Sequence, residues 1–298
     1  MAPLLRRSID GNVTGMSKRL LSIGHGFTAQ EFGRFLLSKG WRVTGTTRSE
    51  DKAARLRETG VEAVLWPGSD LAEMAQTATH ILVSAAPDAD GDPFLNAYRE
   101  NLMANRNLKW IGYLSTTGVY GDHGGAWVDE DTPVEPTTRR GQIRVAAENA
   151  WLETGLPVHI FRLAGIYGPG RGPFAKLRNG TARIIRKPGQ IFGRIHIADI
   201  AQGLYASINA PDPGRIYNLS DDEPAPPEDI LGYAAGLLGM ELPEPEDFET
   251  ADMSPMARSF YSECKRVRND RMKNELGVRL KYPGYKQALD AIYAEETG

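Results

Sequence analysis

Apolar residues along the chain fall into short runs, and between the runs they recur with helical spacing. Arg19–Ile23, Arg42–Thr46, Val61–Leu65, Ile81–Val83 and Trp110–Leu114 predict strands. Phe27–Ser38, with Phe32, Phe35 and Leu36 on one face, and the charged Glu50–Glu58 predict helices between them. Gly141–Glu153 predicts a further helix and Val158–Phe161 a further strand. Strand and helix alternating at this spacing imply a parallel, doubly wound sheet, an α/β fold. Such a sheet is covered on both faces, which accounts for short apolar runs in place of clean alternation. After Phe161 the rhythm changes. Gly168-Pro169-Gly170 and Pro173 mark a loop, Asp199–Asn209 a helix, Arg215–Leu219 a late strand, and the acidic, proline-rich Asp221–Pro227 a loop or crossover.

The first strand runs into Gly24-His25-Gly26-Phe27-Thr28-Ala29, which opens the first helix and reads G-x-G-x-x-A. Gly24 permits the tight turn, Gly26 lets the backbone approach a pyrophosphate, and Ala29 lets helix and strand pack closely. The pyrophosphate of a dinucleotide would sit on the helix N-terminus, where free N–H groups and the helix dipole favour anions. The motif is weak alone. Its place between a strand and a helix at the start of the series makes it a Rossmann-type site. His25 is expected to be a loop residue and not a base.

The second strand ends Val43-Thr44-Gly45-Thr46-Thr47-Arg48-Ser49, with no acidic residue before Glu50. A site for NAD(H) places Asp or Glu here, on the ribose 2′-hydroxyl. Thr47 and Arg48 suit a 2′-phosphate instead, the guanidinium by charge and bidentate geometry. The expected cofactor is therefore NADP(H) in preference to NAD(H).

Three more segments carry a resemblance: Leu114-Ser115-Thr116-Thr117-Gly118-Val119-Tyr120-Gly121, Arg162-Leu163-Ala164-Gly165-Ile166-Tyr167-Gly168-Pro169-Gly170, and Arg194-Ile195-His196-Ile197-Ala198-Asp199-Ile200. With the glycine loop, and in this order, they resemble the extended short-chain dehydrogenase/reductases, the NAD(P)-dependent epimerase/dehydratase group, in an atypical branch. The resemblance runs from about Lys18 to the C-terminus. It implies a nucleotide-binding domain over residues 16–165, to which 194–220 return, and a smaller C-terminal substrate lobe from 166–193 and 221–298. It implies a cleft between them that holds the reacting carbon. It also implies Ala85 and Ala86, past the Ile81–Val83 strand, as cofactor neighbours, and a homodimer as the expected assembly.

The family's catalytic core is a Ser or Thr after the fifth strand and a Tyr-x-x-x-Lys on the next helix. Thr116 matches the first. The second falls on Arg140-Gly141-Gln142-Ile143-Arg144, so Arg140 stands for the tyrosine and Arg144 for the lysine. Arg144 keeps the charge that binds the ribose hydroxyls. Arg140 stays protonated and is a poor acid, so it cannot replace the phenol. Tyr120, Asp122, His123 and Tyr167 lie in loops that the family places near the cleft. Tyr120 and His123 join Thr116 and Arg144 as catalytic candidates, His123 because its ordinary pKa suits proton transfer. Sugar dehydratases of the family carry Asp-Glu after the threonine, where Thr117-Gly118 stand here, which argues against dehydration. Arg194 and His196 are candidates for lining the cleft, and Asp199 for capping its own helix or a neighbouring loop.

Charge changes this picture little. Lys and Arg number 35 and Asp and Glu 38, for a net charge of −3, which gives no reason to expect nucleic acid or an acidic membrane as partner. A small-molecule substrate is expected. No apolar run reaches the roughly 20 residues that a membrane-spanning helix needs, residues 1–15 read as an extension without fixed structure, and the single cysteine, Cys264, fits a reducing cytoplasm. The histidines are scattered, so no metal site is expected. Two readings of function stay open: an NADP(H)-dependent oxidoreductase or epimerase acting on a nucleotide sugar or another small carbonyl or alcohol, or a non-catalytic NADP(H)-binding sensor. The first should turn over some substrate. The second should change shape or partner on cofactor alone.

Overall fold

A computed structural model describes residues 18–297, so the extension expected over 1–15 lies outside the described residues. In chain order the elements are β1 (Arg19–Ile23), α1 (Phe27–Leu37), β2 (Arg42–Thr47), α2 (Glu50–Glu58), β3 (Glu62–Leu65), α3 (Ala72–Thr77), β4 (His80–Val83), α4 (Pro93–Ala104) and β5 (Trp110–Thr116). There follow β6 (Trp127–Val128), α5 (Arg139–Leu152), β7 (Val158–Leu163), β8 (Gly165–Tyr167), α6 (Pro173–Arg178), β9 (Ile184–Arg186), β10 (Arg194–His196), α7 (Ile197–Asn209) and β11 (Ile216–Leu219). The chain ends with α8 (Pro227–Leu238), β12 (Pro245–Asp247), α9 (Pro255–Tyr261), β13 (Arg266–Val267), α10 (Asp270–Leu276) and α11 (Tyr285–Thr297).

Seven strands form one sheet in the order β11-β7-β5-β4-β1-β2-β3, every neighbouring pair parallel. This is the Rossmann doubly wound sheet. The order reverses between β1 and β4, and the crevice at such a reversal is where ligands of these sheets bind. Alternate residues of one strand feed opposite layers, as the two-residue strand period requires. On β5, Trp110 and Leu114 join the layer under α1 and α7, while Ile111 and Tyr113 join that under α4 and α5. The Trp110 indole folds over Gly112 and donates from Nε1 to Ser207 Oγ at 3.0 Å.

A separate core gathers Tyr167, Phe174 and Leu177 with residues of α8 and α11, among them Leu231, Ala234 and Leu289. Residues 270–278 do not join it: Met272 and Val278 pack in the layer beneath the sheet. Pro173, expected in a loop, is instead the first residue of α6, a position where its missing N–H costs nothing. α5 starts two residues earlier than its pattern predicts, because the Thr138 hydroxyl accepts from Gly141 N at 3.1 Å and caps the helix. Arg140 therefore lies in the first turn of α5, at the mouth of the crevice.

Among the described residues no helix is long and apolar enough to cross a membrane.

Candidate functional site

The Gly24–Gly26 turn is fixed from three sides. Gly24 N donates to Thr46 Oγ1 at 2.8 Å, His25 N donates to Thr46 O at 2.8 Å, and Ser84 Oγ donates to Gly24 O at 2.5 Å. Gly24 has φ +75°, and a Cβ there would lie 2.8 Å from Ala85 N. Only glycine fits. A Cβ on Gly26 would meet nothing nearer than 3.6 Å, so the turn presents bare backbone. α1 then begins with no side-chain cap and no acidic residue in its first turn. Its N–H groups are left for an anion, and the dipole favours one. This cradle fits a dinucleotide pyrophosphate. His25 points inward: its ring lies between Gly33 and Gly45, with Nδ1 2.9 Å from Ser22 Oγ. Burial, then the nearby Lys52, pushes its pKa down to about 4.

Thr47 and Arg48 stand at the end of β2, and Ala85 and Ala86 past the end of β4, so the four flank β1 on either side. The Thr47 hydroxyl accepts from Ser49 N at 3.4 Å. Arg48 is exposed. The fold adds Lys52, which the sequence reading had missed. Its pKa is lowered by burial, then by the charges of Arg55 and Arg48. Three cations thus share one corner beside the turn.

The crevice is a cleft of about 1180 Å³, larger than the roughly 300–1,000 Å³ of a typical single-ligand pocket. Gly24, Gly26, Phe27, Thr28, Ala29, Thr116, Arg140 and Arg144 line it, facing residues of the C-terminal lobe. Thr116 Oγ1 accepts from Gly118 N at 3.1 Å. Its own proton remains available for a substrate oxygen. Arg144 Nη1 donates to Leu114 O at 2.9 Å and to Tyr113 Oη at 3.2 Å, which fixes the guanidinium on the cleft wall. Arg140 is exposed and lies 4.5 Å from the centre of the Phe260 ring.

Tyr120 and His123, expected at the cleft, do not line it. Tyr120 is fully buried. Its hydroxyl donates to Asn218 Oδ1 at 2.7 Å and accepts from Arg162 Nη1 at 3.0 Å, and burial pushes its pKa up to about 12. Such a phenol is a packing group. His123 is turned to its own loop, with Nε2 3.0 Å from Tyr120 O and its backbone N donating to Cys264 O at 3.1 Å. Asp122 accepts from Cys264 N at 2.7 Å. The family resemblance implies a loop near the cleft for Tyr120, Asp122 and His123. The pairing of β6 with β13 draws it to the chain near Cys264 instead.

Tyr167 does line the cleft, and its hydroxyl is buried without a partner. Burial pushes its pKa up, with the charge of Asp221 next. Arg194 also lines the cleft, its Nη1 donating to Phe192 O at 2.9 Å and Ala225 O at 3.0 Å. His196 caps α7, accepting from Ala198 N at 3.2 Å. Asp199 caps a neighbouring segment and not its own helix: it accepts from Lys281 N at 2.6 Å and Tyr282 N at 3.1 Å. Asp221, absent from the sequence candidates, is buried with Oδ2 unpartnered, and desolvation pushes its pKa up to about 8.

No family model matches the chain. It is similar to Protein YeeZ of Escherichia coli K12, 32% identical over 286 residues that span 89% of this chain and 97% of that one. The fold superposes on a functionally unknown conserved protein of Silicibacter pomeroyi with a TM-score of 0.89 and 56% identity, over 94% of this chain and 99% of the other. It also superposes on a human epimerase family protein with NADPH, with a TM-score of 0.73 and 19% identity, over 93% and 99%.

Proposed function

The chain belongs to the extended short-chain dehydrogenase/reductase superfamily, in its NAD(P)-dependent epimerase/dehydratase family, and from that premise we propose that it binds NADP(H) and exchanges hydride with a small carbonyl or alcohol. One observation carries the reading. The bare turn at Gly24–Gly26 and the uncapped, carboxylate-free start of α1 open onto the cleft that Thr116 and Arg144 line. The bound nicotinamide would supply the hydride. Arg144 would hold the ribose hydroxyls with the guanidinium edge not used on Leu114 O and Tyr113 Oη. Thr116 would donate its hydroxyl proton toward the substrate oxygen and orient it. Arg48 and Lys52 would take the 2′-phosphate, the guanidinium at its edge and the ammonium as a point charge.

Arg140 favours a second reading, a cofactor-binding sensor without turnover, because a guanidinium stands at the first turn of α5 where the family carries its phenol. Turnover of cofactor with any carbonyl or alcohol decides for the enzyme. A change of shape or partner on NADPH alone, with no turnover, decides for the sensor.

Titration with NADPH and NADH, followed by cofactor fluorescence, tests the cofactor. NADPH should bind about tenfold more tightly, the worth of roughly 1.4 kcal/mol from a charge-assisted phosphate contact. Arg48→Ala and Lys52→Ala should each remove most of that preference and leave NADH unchanged, and added salt should narrow the gap. Equal affinity for the two cofactors in the wild-type protein would sink the NADP(H) assignment.

A further inference from the structure

The lobe side of the cleft has an unusual set of side chains. Ile191, Phe192, Ile230, Leu231, Met256 and Phe260 make an apolar stretch of its wall. Among the described residues no Asn, Gln, Asp or His lines the cleft, and the one carboxylate on it, Glu263, is held by Lys265 Nζ at 2.7 Å and by the Thr137 hydroxyl at 2.9 Å. Two lobe-side hydroxyls are partly engaged: Ser254 Oγ accepts from Ala257 N at 3.2 Å, and Ser259 Oγ donates to Met256 O at 2.8 Å. A sugar ring presents several hydroxyls that each need donors and acceptors. A site that leaves them unpaired rejects them strongly, since every unpaired buried polar group is penalised. The apolar stretch of this wall offers no such groups, and the hydroxyls on the cleft, Tyr167 among them, lie outside it.

It does offer cations. Arg194 is anchored through one nitrogen by two carbonyls, and the Arg140 guanidinium lies over the Phe260 ring. Among the described residues neither guanidinium has a carboxylate within ion-pair distance, whereas Arg183, on the same cleft, is paired with Glu246 at 2.5 Å. A guanidinium held in place with a free edge is a bidentate receptor for a planar anion. An aromatic or branched body would be taken up by the wall beside it.

We propose that this cleft selects a small carboxylic acid with an apolar body, bound through its carboxylate by Arg140 and Arg194, and that it does not select a nucleotide sugar. This names the substrate class of the site proposed above and rests on that reading. Burial pushes the pKa of Asp221, whose charge couples to Arg194, up to about 8.

The test is calorimetric titration of the full-length protein, with and without saturating NADP+, using three probes: 3-phenylpropanoate, its uncharged amide, and UDP-glucose. The acid should bind at least about tenfold more tightly than the amide, the worth of one charge-assisted contact, and UDP-glucose should bind no better than the amide. Arg140→Met and Arg194→Met should each weaken the acid about tenfold toward the affinity of the amide, with NADP+ affinity unchanged. Arg140 is exposed, so its variant reads the contact even where loss of the buried Arg194 unfolds the chain. Acid and amide binding alike, no heat from the acid up to its solubility limit, or UDP-glucose binding more tightly than the acid overturns the proposal. The failure of the cofactor reading shows separately, as an absence of NADP+ binding, and the comparison of acid with amide on cofactor-free protein still decides whether the carboxylate is recognised.

Discussion

Glu148→Ala should cost about 3–5 kcal/mol of stability, the range for breaking a buried pair from one side. Glu148 on α5 and Arg162 on β7 meet beneath the cleft floor, both almost fully buried. The carboxylate accepts from Arg162 Nη2 at 2.8 Å and from Nε at 3.3 Å, and takes the Ser115 hydroxyl as well. Arg162 Nη1 goes on to Tyr120, Tyr120 to Asn218, and Asn218 N to Glu130 Oε1 at 2.7 Å. Removing the carboxylate leaves a guanidinium in the interior with one neutral partner. The pair itself has little net worth against an apolar replacement, so the Glu148→Leu, Arg162→Met double variant should lose clearly less than the sum of its singles. Urea unfolding at constant slope measures all three. Additive losses would show that the two side chains are not coupled. Because Ser115 precedes Thr116, the Glu148→Ala variant should also loosen the threonine and weaken substrate binding.

The sheet and its seven strands were legible because each has a run of apolar residues bounded by polar turns, and the dinucleotide turn because glycine spacing reports backbone geometry directly. The lobe was harder. β8, β9, β10, β12 and β13 hold two or three residues each, too few for any period to show. Thr116 and Arg144 were legible through the family resemblance, whose pattern lands on the end of β5 and the start of α5. Lys52, Ser84, Arg162 and Asp221 were not, because what marks them is a partner or a missing partner far away in sequence. Tyr120 shows the same limit from the other side. The resemblance implies a place near the cleft for it, and only the 98-residue reach to Asn218 reveals it as part of a buried network.

Acidification from pH 7 to pH 4 should destabilise the protein, and His25 alone should account for about 3 kcal/mol of the loss, at 1.36 kcal/mol per pKa unit. In the unfolded chain His25 takes up a proton near its ordinary value of 6.5, but in the fold its pKa is pushed down to about 4, by burial first and Lys52 second. The unfolded state therefore binds the extra proton between these values. Stability is fully present above pH 6.5 and drains as pH falls toward 4. His80 and His196, also pushed down to about 4 by burial, add in the same direction. Asp221 opposes them: its folded pKa near 8 makes the native state the better proton binder, so it favours the fold as pH falls from 8 toward its unfolded value of 3.8. Asp92, Glu130 and Asp199, raised by burial, act as Asp221 does. The wild-type slope is a balance of both sets, and the His25→Gln variant isolates one member. It should lose about 3 kcal/mol less than wild type between pH 7 and pH 4 in urea titrations at each pH. Equal losses would mean that another group carries the acid sensitivity. The effect reaches function because the ring lies between Gly33 and Gly45, directly behind the Gly24–Gly26 turn. A proton on His25 has no carboxylate to receive it there, and the movement that exposes it to water must displace the turn that cradles the pyrophosphate. The native ring takes up its proton only near pH 4, so NADPH affinity of the folded protein should fall there, at the acid end of the interval over which stability drains, and His25→Gln should flatten each curve in its own interval.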